Sequence, residues 1–193
     1  EKQALVSSFV PALLPHREVQ ARQIADIIAP VLHSERPSNL FVYGKTGTGK
    51  TLTLKWVIGR LMQVVEAKKL PVKSLYVNCK MKKVADTEYR LIAHFARELG
   101  KPLPVTGLPT DEIYKVFFNT VDAEQQTVVL VLDEIDQLAK KTGDDVLYNL
   151  TRINEELSNA QIVIVGASNN LLFVDNLDPR VKSSLSEEEI VFP

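Results

Sequence analysis

Eight consecutive residues, "GKTGTGKT" from Gly44 to Thr51, can hold an anion. Their spacing fits G-x-x-x-x-G-K-[ST], with a strand-like run before and a helical pattern after. Glycines at 44, 47 and 49 let the backbone turn sharply, so that Thr46, Gly47, Thr48 and Gly49 can aim N–H groups inward at phosphate oxygens. The helix that opens with Lys50, Thr51 and Leu52 adds its positive N-terminal end. Lys50 has the reach for β- and γ-phosphates, and the Thr51 hydroxyl suits Mg²⁺.

A second constellation closes the apolar run "VVLVLDEID". Asp133 is expected to hold the waters of Mg²⁺, and Glu134 to polarise a water for attack on a γ-phosphate. An Asp alone would equally suit a P-loop kinase; the adjacent Glu points to hydrolysis. Asp136 reads as structural, a residue beside an opening loop. A third site ends "IVIVGASNN", where Asn169, ahead of Asn170, can hydrogen-bond both the attacking water and a γ-phosphate oxygen. Near the end, "LDPRVKSSL" starts a short helix and offers Arg180, which reads locally as ordinary surface charge.

The elements that must position these groups are legible as periodicity. Strands are predicted at 39–44, 74–79, 127–134, 161–168 and 189–192; the runs from 127 and 161 are almost wholly Val, Ile and Leu, as strands covered on both faces are. Helices are predicted over 16–33, after Lys50, over 87–99, from a Thr110 cap to about 121, and over 144–157. The alternation is that of one three-layer α/β domain.

Composition narrows the function classes. The chain has 193 residues, 45% hydrophobic and 24% charged, ordinary for a soluble globular fold. A net charge of −1 argues against gripping nucleic acid by bulk electrostatics. The single cysteine, Cys79, excludes an intramolecular disulfide framework and fits a reducing interior. No apolar run has the length of a membrane span, and no secretory signal opens the chain. An intracellular, soluble protein is expected. The chain opens on Glu and stops just after "EEIVFP", which reads as a piece of a longer protein.

"GKTGTGKT", "VLDEID" and "GASNN", in that order, resemble the AAA+ ATPases. "VPALLPHREVQ", "PSNLFVYGKTGTGKT", "YVNC", "LPVTGLPTDEIY" and "LDPRVKSSL" resemble more closely the archaeal replication initiators of the origin-recognition and cell-division-control type. The resemblance runs over essentially the whole chain. It implies a three-layer P-loop core, residues 1–193, with five parallel strands and the phosphate-loop strand in the middle. It also implies ATP-dependent switching at replication origins, with ATP or ADP and Mg²⁺ as ligands. Val10, Pro15 and Arg17 would belong to the adenine pocket, and residues 80–110 would form an initiator-specific insertion touching DNA through Lys80, Lys82, Lys83, Arg90, Arg97 and Lys101. A helical lid and a winged-helix domain would follow beyond Pro193, carrying the main DNA contacts. Other AAA+ subunits, or copies of this one, and helicase-loading proteins would be partners. Where many AAA+ proteins have a trans-acting arginine after a serine, this chain has "SSL", which leaves Arg180 as the nearest alternative. A clamp-loading or signalling ATPase acting on protein partners would share the same core.

Overall fold

The computed structural model describes residues 14–104 and 106–193. Five strands, β1 (Leu40–Gly44), β2 (Val72–Asn78), β3 (Thr127–Asp133), β4 (Gln161–Ser168) and β5 (Glu188–Phe192), form one sheet in the order β2-β3-β4-β1-β5. Every pairing is parallel. The expected strands thus appear within two residues of their predicted ends. One placement differs: the phosphate-loop strand β1 is interior, between β4 and β5, but the middle of the sheet is β4. β4 is also the longer and more continuously apolar of the two, and burial on both sides favours it there.

The helices are α1 (Glu18–Ile28), α2 (Lys50–Lys68), α3 (Glu88–Glu98), α4 (Thr110–Asp122), α5 (Ile135–Thr142), α6 (Asp145–Arg152) and α7 (Pro179–Leu185). The pattern predicted over 16–33 splits into α1 and a 3-10 segment, Ala29–His33, where Pro30 cannot donate the next helical hydrogen bond. Thr110 is the first helical residue of α4 rather than its cap, which is Pro109. A side-chain cap does open α3, where Thr87 accepts the Arg90 N–H.

Strand periodicity divides the core into two layers. On β3, Val128, Leu130 and Leu132 face a cluster built with α3 to α7, while Val129 and Val131 face α1 and α2. β4 repeats the scheme with Ile162 and Ile164 on one side and Val163, Val165 and Ala167 on the other. The result is helix–sheet–helix, the expected three layers. Among the described residues no helix is long and apolar enough to cross a membrane.

Because all strands run the same way, their C-terminal ends share one edge. Register makes this concrete: Asn78 pairs with Asp133, Tyr43 with Ser168, and Gly44 with Phe192. In a parallel α/β sheet that edge is where ligands bind.

Candidate nucleotide site

The loop leaving β1 turns at Gly47 and Gly49, with φ of +84° and +89°. L side chains rarely adopt that conformation, so glycine is needed at both. Gly44 is needed for a different reason: a Cβ there would strike the Phe192 carbonyl of β5. Thr46 and Gly47 are exposed at the tip, and Thr48 closes the turn by donating its hydroxyl to the Lys45 carbonyl (2.8 Å). Gly49 then caps α2, and Leu52 packs half-buried against the α1–α2 core.

Lys50 lies beneath the loop, only 5% exposed. Its ammonium donates to the carbonyls of Gly44 (2.7 Å) and Lys45 (2.8 Å) and to the Thr48 hydroxyl (3.3 Å). Burial lowers its pKa, opposed by the carboxylates of Asp133, Glu134 and Asp136. A cation is therefore held beneath the loop by two of its carbonyls and a hydroxyl.

The acidic strand end meets the loop directly. Thr51 Oγ1 donates to Asp133 Oδ2 at 2.7 Å, joining two residues far apart in sequence. Asp133 is almost fully buried and accepts two further bonds, from the Tyr76 hydroxyl (2.7 Å) and from the Glu134 N–H (3.0 Å). Burial, with Asp133 alongside, raises the Tyr76 pKa, so the phenol stays a donor. Glu134 sits half-exposed at the start of α5 with φ of +52°, a left-handed conformation uncommon for a non-glycine residue. It projects from the same strand end as Asp133.

Asn169 is exposed immediately after β4. Asn170 is engaged locally, its side-chain oxygen accepting the Leu172 N–H (3.0 Å). Asp136, read as structural, is 4% exposed in the first turn of α5 and accepts the Ser168 hydroxyl at 2.9 Å.

The remaining expected residues fall differently. Arg17 reaches the phosphate loop itself: Nε donates to the Thr48 carbonyl (2.7 Å) and a terminal nitrogen to the Pro193 carbonyl (3.3 Å), with the guanidinium 5.8 Å from the Phe192 ring centre. Pro15 lines a groove of about 450 Å³ between α1 and α2, beside Leu14, Ala21 and Trp56. Val10 lies outside the described residues. Arg180 is exposed on α7, held bidentately by Asp178 (3.1 and 2.9 Å) and stacked 4.8 Å from the Tyr148 ring centre; its hydrogen bonds are all to its own helix turn. Leu185, in the "SSL" position, is fully buried.

Two contributors escaped the sequence reading. Tyr76 supports Asp133 from β2, and its position two residues before the strand end was the available signal, since Tyr76 pairs across to Val131. Phe192 supports Arg17 from β5, and nothing local announces a contact across 175 residues.

A family model described as an AAA domain matches residues 33–174. The chain is 52% identical over 196 residues to an ORC1-type DNA replication protein of Thermococcus onnurineus, covering 100% of this chain and 46% of that protein. Among solved structures, the Aeropyrum pernix ORC1 protein in complex with DNA matches with a TM-score of 0.91 and 42% identity, over 100% of this chain and 49% of that one. Cdc6p from Pyrobaculum aerophilum matches with a TM-score of 0.77 and 26% identity, over 100% and 49%. The chain spans about half the length of these relatives. A phosphate loop hydrogen-bonded to an acidic strand end, on a five-stranded parallel sheet and inside a matching family model, leads to one conclusion: the chain belongs to the AAA domain family.

Proposed function

We propose that this chain is the ATP-binding and ATP-hydrolysing core of a replication initiator, a switch whose nucleotide state governs assembly on origin DNA. The observation that carries the nucleotide reading is the Thr51–Asp133 hydrogen bond, which joins the phosphate loop to the acidic strand end. The similarity to ORC1-type replication proteins supports the initiator reading over a clamp-loading or signalling ATPase, which would share the pocket.

The residues divide the work. Backbone N–H groups from Thr46 to Thr51 and the α2 N-terminus bind phosphate, and Lys50 exchanges its loop carbonyls for β- and γ-phosphate oxygens. A hydroxyl and a buried carboxylate 2.7 Å apart fit Mg²⁺, which takes few protein ligands and keeps several waters. Thr51 and Asp133 would hold the ion together with the phosphates. When bound, Mg²⁺ would neutralise charge on the phosphates. Glu134 takes the proton of the attacking water, and Asn169 orients that water against the γ-phosphate. Arg17 fixes the loop at Thr48, so its role in the adenine pocket is to brace the wall rather than to touch the base.

Arg180 acts in trans in this reading, on a neighbouring subunit's nucleotide, and must leave Asp178 to do so. Residues 80–110 supply local DNA contacts. Lys80, Lys82 and Lys83 are exposed on the turn after β2, and Arg97 and Lys101 are exposed further on, while Arg90 is partly neutralised by Asp86. Other AAA+ subunits, or copies of this one, and helicase-loading proteins are the chain's partners in this reading.

The test is binding of the full-length protein to origin-containing and random DNA, with and without ATP, across a range of salt. Tighter, ATP-dependent binding to the origin sequence is expected. Equal affinity for both, unmoved by ATP, would sink the initiator reading.

A further inference from the structure

The hydrolytic reading requires Glu134 and Asn169 to keep a fixed separation, yet they follow different strands, β3 and β4. The β3–β4 ladder ends at Leu132↔Gly166, short of both residues. Backbone pairing therefore stops before the chemistry begins. Beyond that point a side-chain bond takes over, from Ser168 Oγ to Asp136 Oδ1 at 2.9 Å.

The direction of this bond can be assigned. The Ser168 hydroxyl has one proton and two candidate acceptors, Asp136 Oδ1 at 2.9 Å and the Asn170 carbonyl at 3.4 Å. The carboxylate is nearer and charged, so it takes the proton. The hydroxyl oxygen is then free to accept the Asn170 N–H at 3.0 Å. Asn169 lies between the two anchored residues. Ser168 and Asp136 are 1% and 4% exposed, so water competes poorly for either group. The other partners of Asp136, Gln137 (2.7 Å) and Lys140 (3.7 Å), are on α5 itself, which leaves Ser168 as its bond to another element among the described residues.

We propose that Asp136 and Ser168 form a positioning pair that locks the start of α5, and with it Glu134, to the strand end that presents Asn169. The inference rests on the hydrolytic reading of Glu134 and Asn169. Neither Asp136 nor Ser168 touches nucleotide in it. They set the geometry of the two residues that do, and a misplacement of about 1 Å in such a pair can cost on the order of 10²-fold in rate.

The experiment compares variants of the full-length protein in ATP turnover, nucleotide affinity and hydrogen exchange at the Asn170 amide. Ser168→Ala should slow turnover roughly 10- to 100-fold while moving nucleotide Kd less than about threefold, and the Asn170 amide should exchange faster. Asp136→Asn keeps an acceptor oxygen for Ser168 and should hold turnover within about threefold of the parent, with the amide still protected. The double variant Asp136→Asn/Ser168→Ala no longer leaves a charged Oδ1 buried without its donor. It should fold even if Ser168→Ala does not, and be as slow as that single variant. Parental turnover in Ser168→Ala or in the double variant overturns the proposal, as does a Kd loss equal to the loss of turnover. Asn169→Ala and Glu134→Gln are measured alongside: if both turn over normally, the hydrolytic reading itself has failed. If they are slow and the serine variants are not, the positioning pair alone is wrong.

Discussion

Arg17→Ala removes a clamp whose strength can be worked from its contacts. The guanidinium donates at 2.7 Å to the Thr48 carbonyl and at 3.3 Å to the Pro193 carbonyl, with Phe192 beside it. A hydrogen bond from a charged donor contributes about 1.5–3 kcal/mol. Partial exposure of Arg17 screens this, and the longer bond adds little, so about 1–2 kcal/mol is a reasonable total. If that energy holds the phosphate loop in its binding shape, its loss weakens nucleotide affinity roughly 5- to 30-fold. The same loss should lower the melting midpoint by roughly 2–8 °C. Titration calorimetry with ADP and ATP, beside thermal melts, measures both. Arg17→Lys should recover only part of the affinity, because lysine has one nitrogen where arginine brings Nε to the Thr48 carbonyl and a terminal nitrogen to the Pro193 carbonyl. Unchanged affinity in Arg17→Ala, with the melting midpoint lowered as expected, would refute the link between clamp and loop; full recovery by lysine would refute its geometric basis.

Asp122 accepts N–H groups from Asn159 (2.7 Å), Ala160 (2.9 Å) and Ser158 (3.1 Å), and these bonds hold its pKa below the ordinary 3.8. A depressed carboxylate stabilises the fold above its unfolded pKa and loses that contribution as pH falls through the lowered value. Asp122→Ala should therefore melt a few degrees lower at neutral pH, and its difference from the parent should close in acid below the 3.8 reference, as followed by thermal melts across pH. Burial, with Asp133 nearby, pushes the Cys79 thiol up to about 12, so its thiolate fraction at pH 8 is about 10⁻⁴. Iodoacetamide should label Cys79 only as fast as the protein unfolds, with labelling followed by mass spectrometry. Arg180→Ala should leave ATP turnover of the unassembled protein unchanged and slow it roughly 10³-fold or more once subunits assemble on DNA, if Arg180 is the trans-acting cation. Normal turnover in the assembly would place the finger elsewhere.

Local pattern carried most of the fold. Buried strands read as unbroken Val, Ile and Leu, helices by their apolar stripe, and the phosphate loop by glycines that its backbone angles then required. What pattern could not carry was contact across the chain. The Tyr76–Asp133 bond crosses between neighbouring strands, and the Arg17–Thr48 bond ties the entry of α1 to the phosphate loop. The Thr51–Asp133 pair was legible only through the Mg²⁺ that both motifs would hold, and strand order decides that β4 holds the middle. Asp136 reads as structural in the sequence, but its contact is not legible there: a short helix following directly on a strand has too few residues to show a period, and its buried partner, Ser168, lies on another strand. Arg180 shows the reverse case: Asp178 and Pro179 announced the α7 start, and the same Asp178 holds the arginine's side chain.

The central claim is that Glu134 at the end of β3 activates water against a nucleotide held by the 44–51 loop. Its most direct test is Glu134→Gln in the full-length protein, with nucleotide affinity and single-turnover ATP hydrolysis measured together. Glutamine keeps the shape and cannot take a proton. The account predicts ATP affinity within about threefold of the parent and hydrolysis slower by roughly 10²-fold or more. Hydrolysis at the parental rate, with ATP bound as tightly, would contradict it.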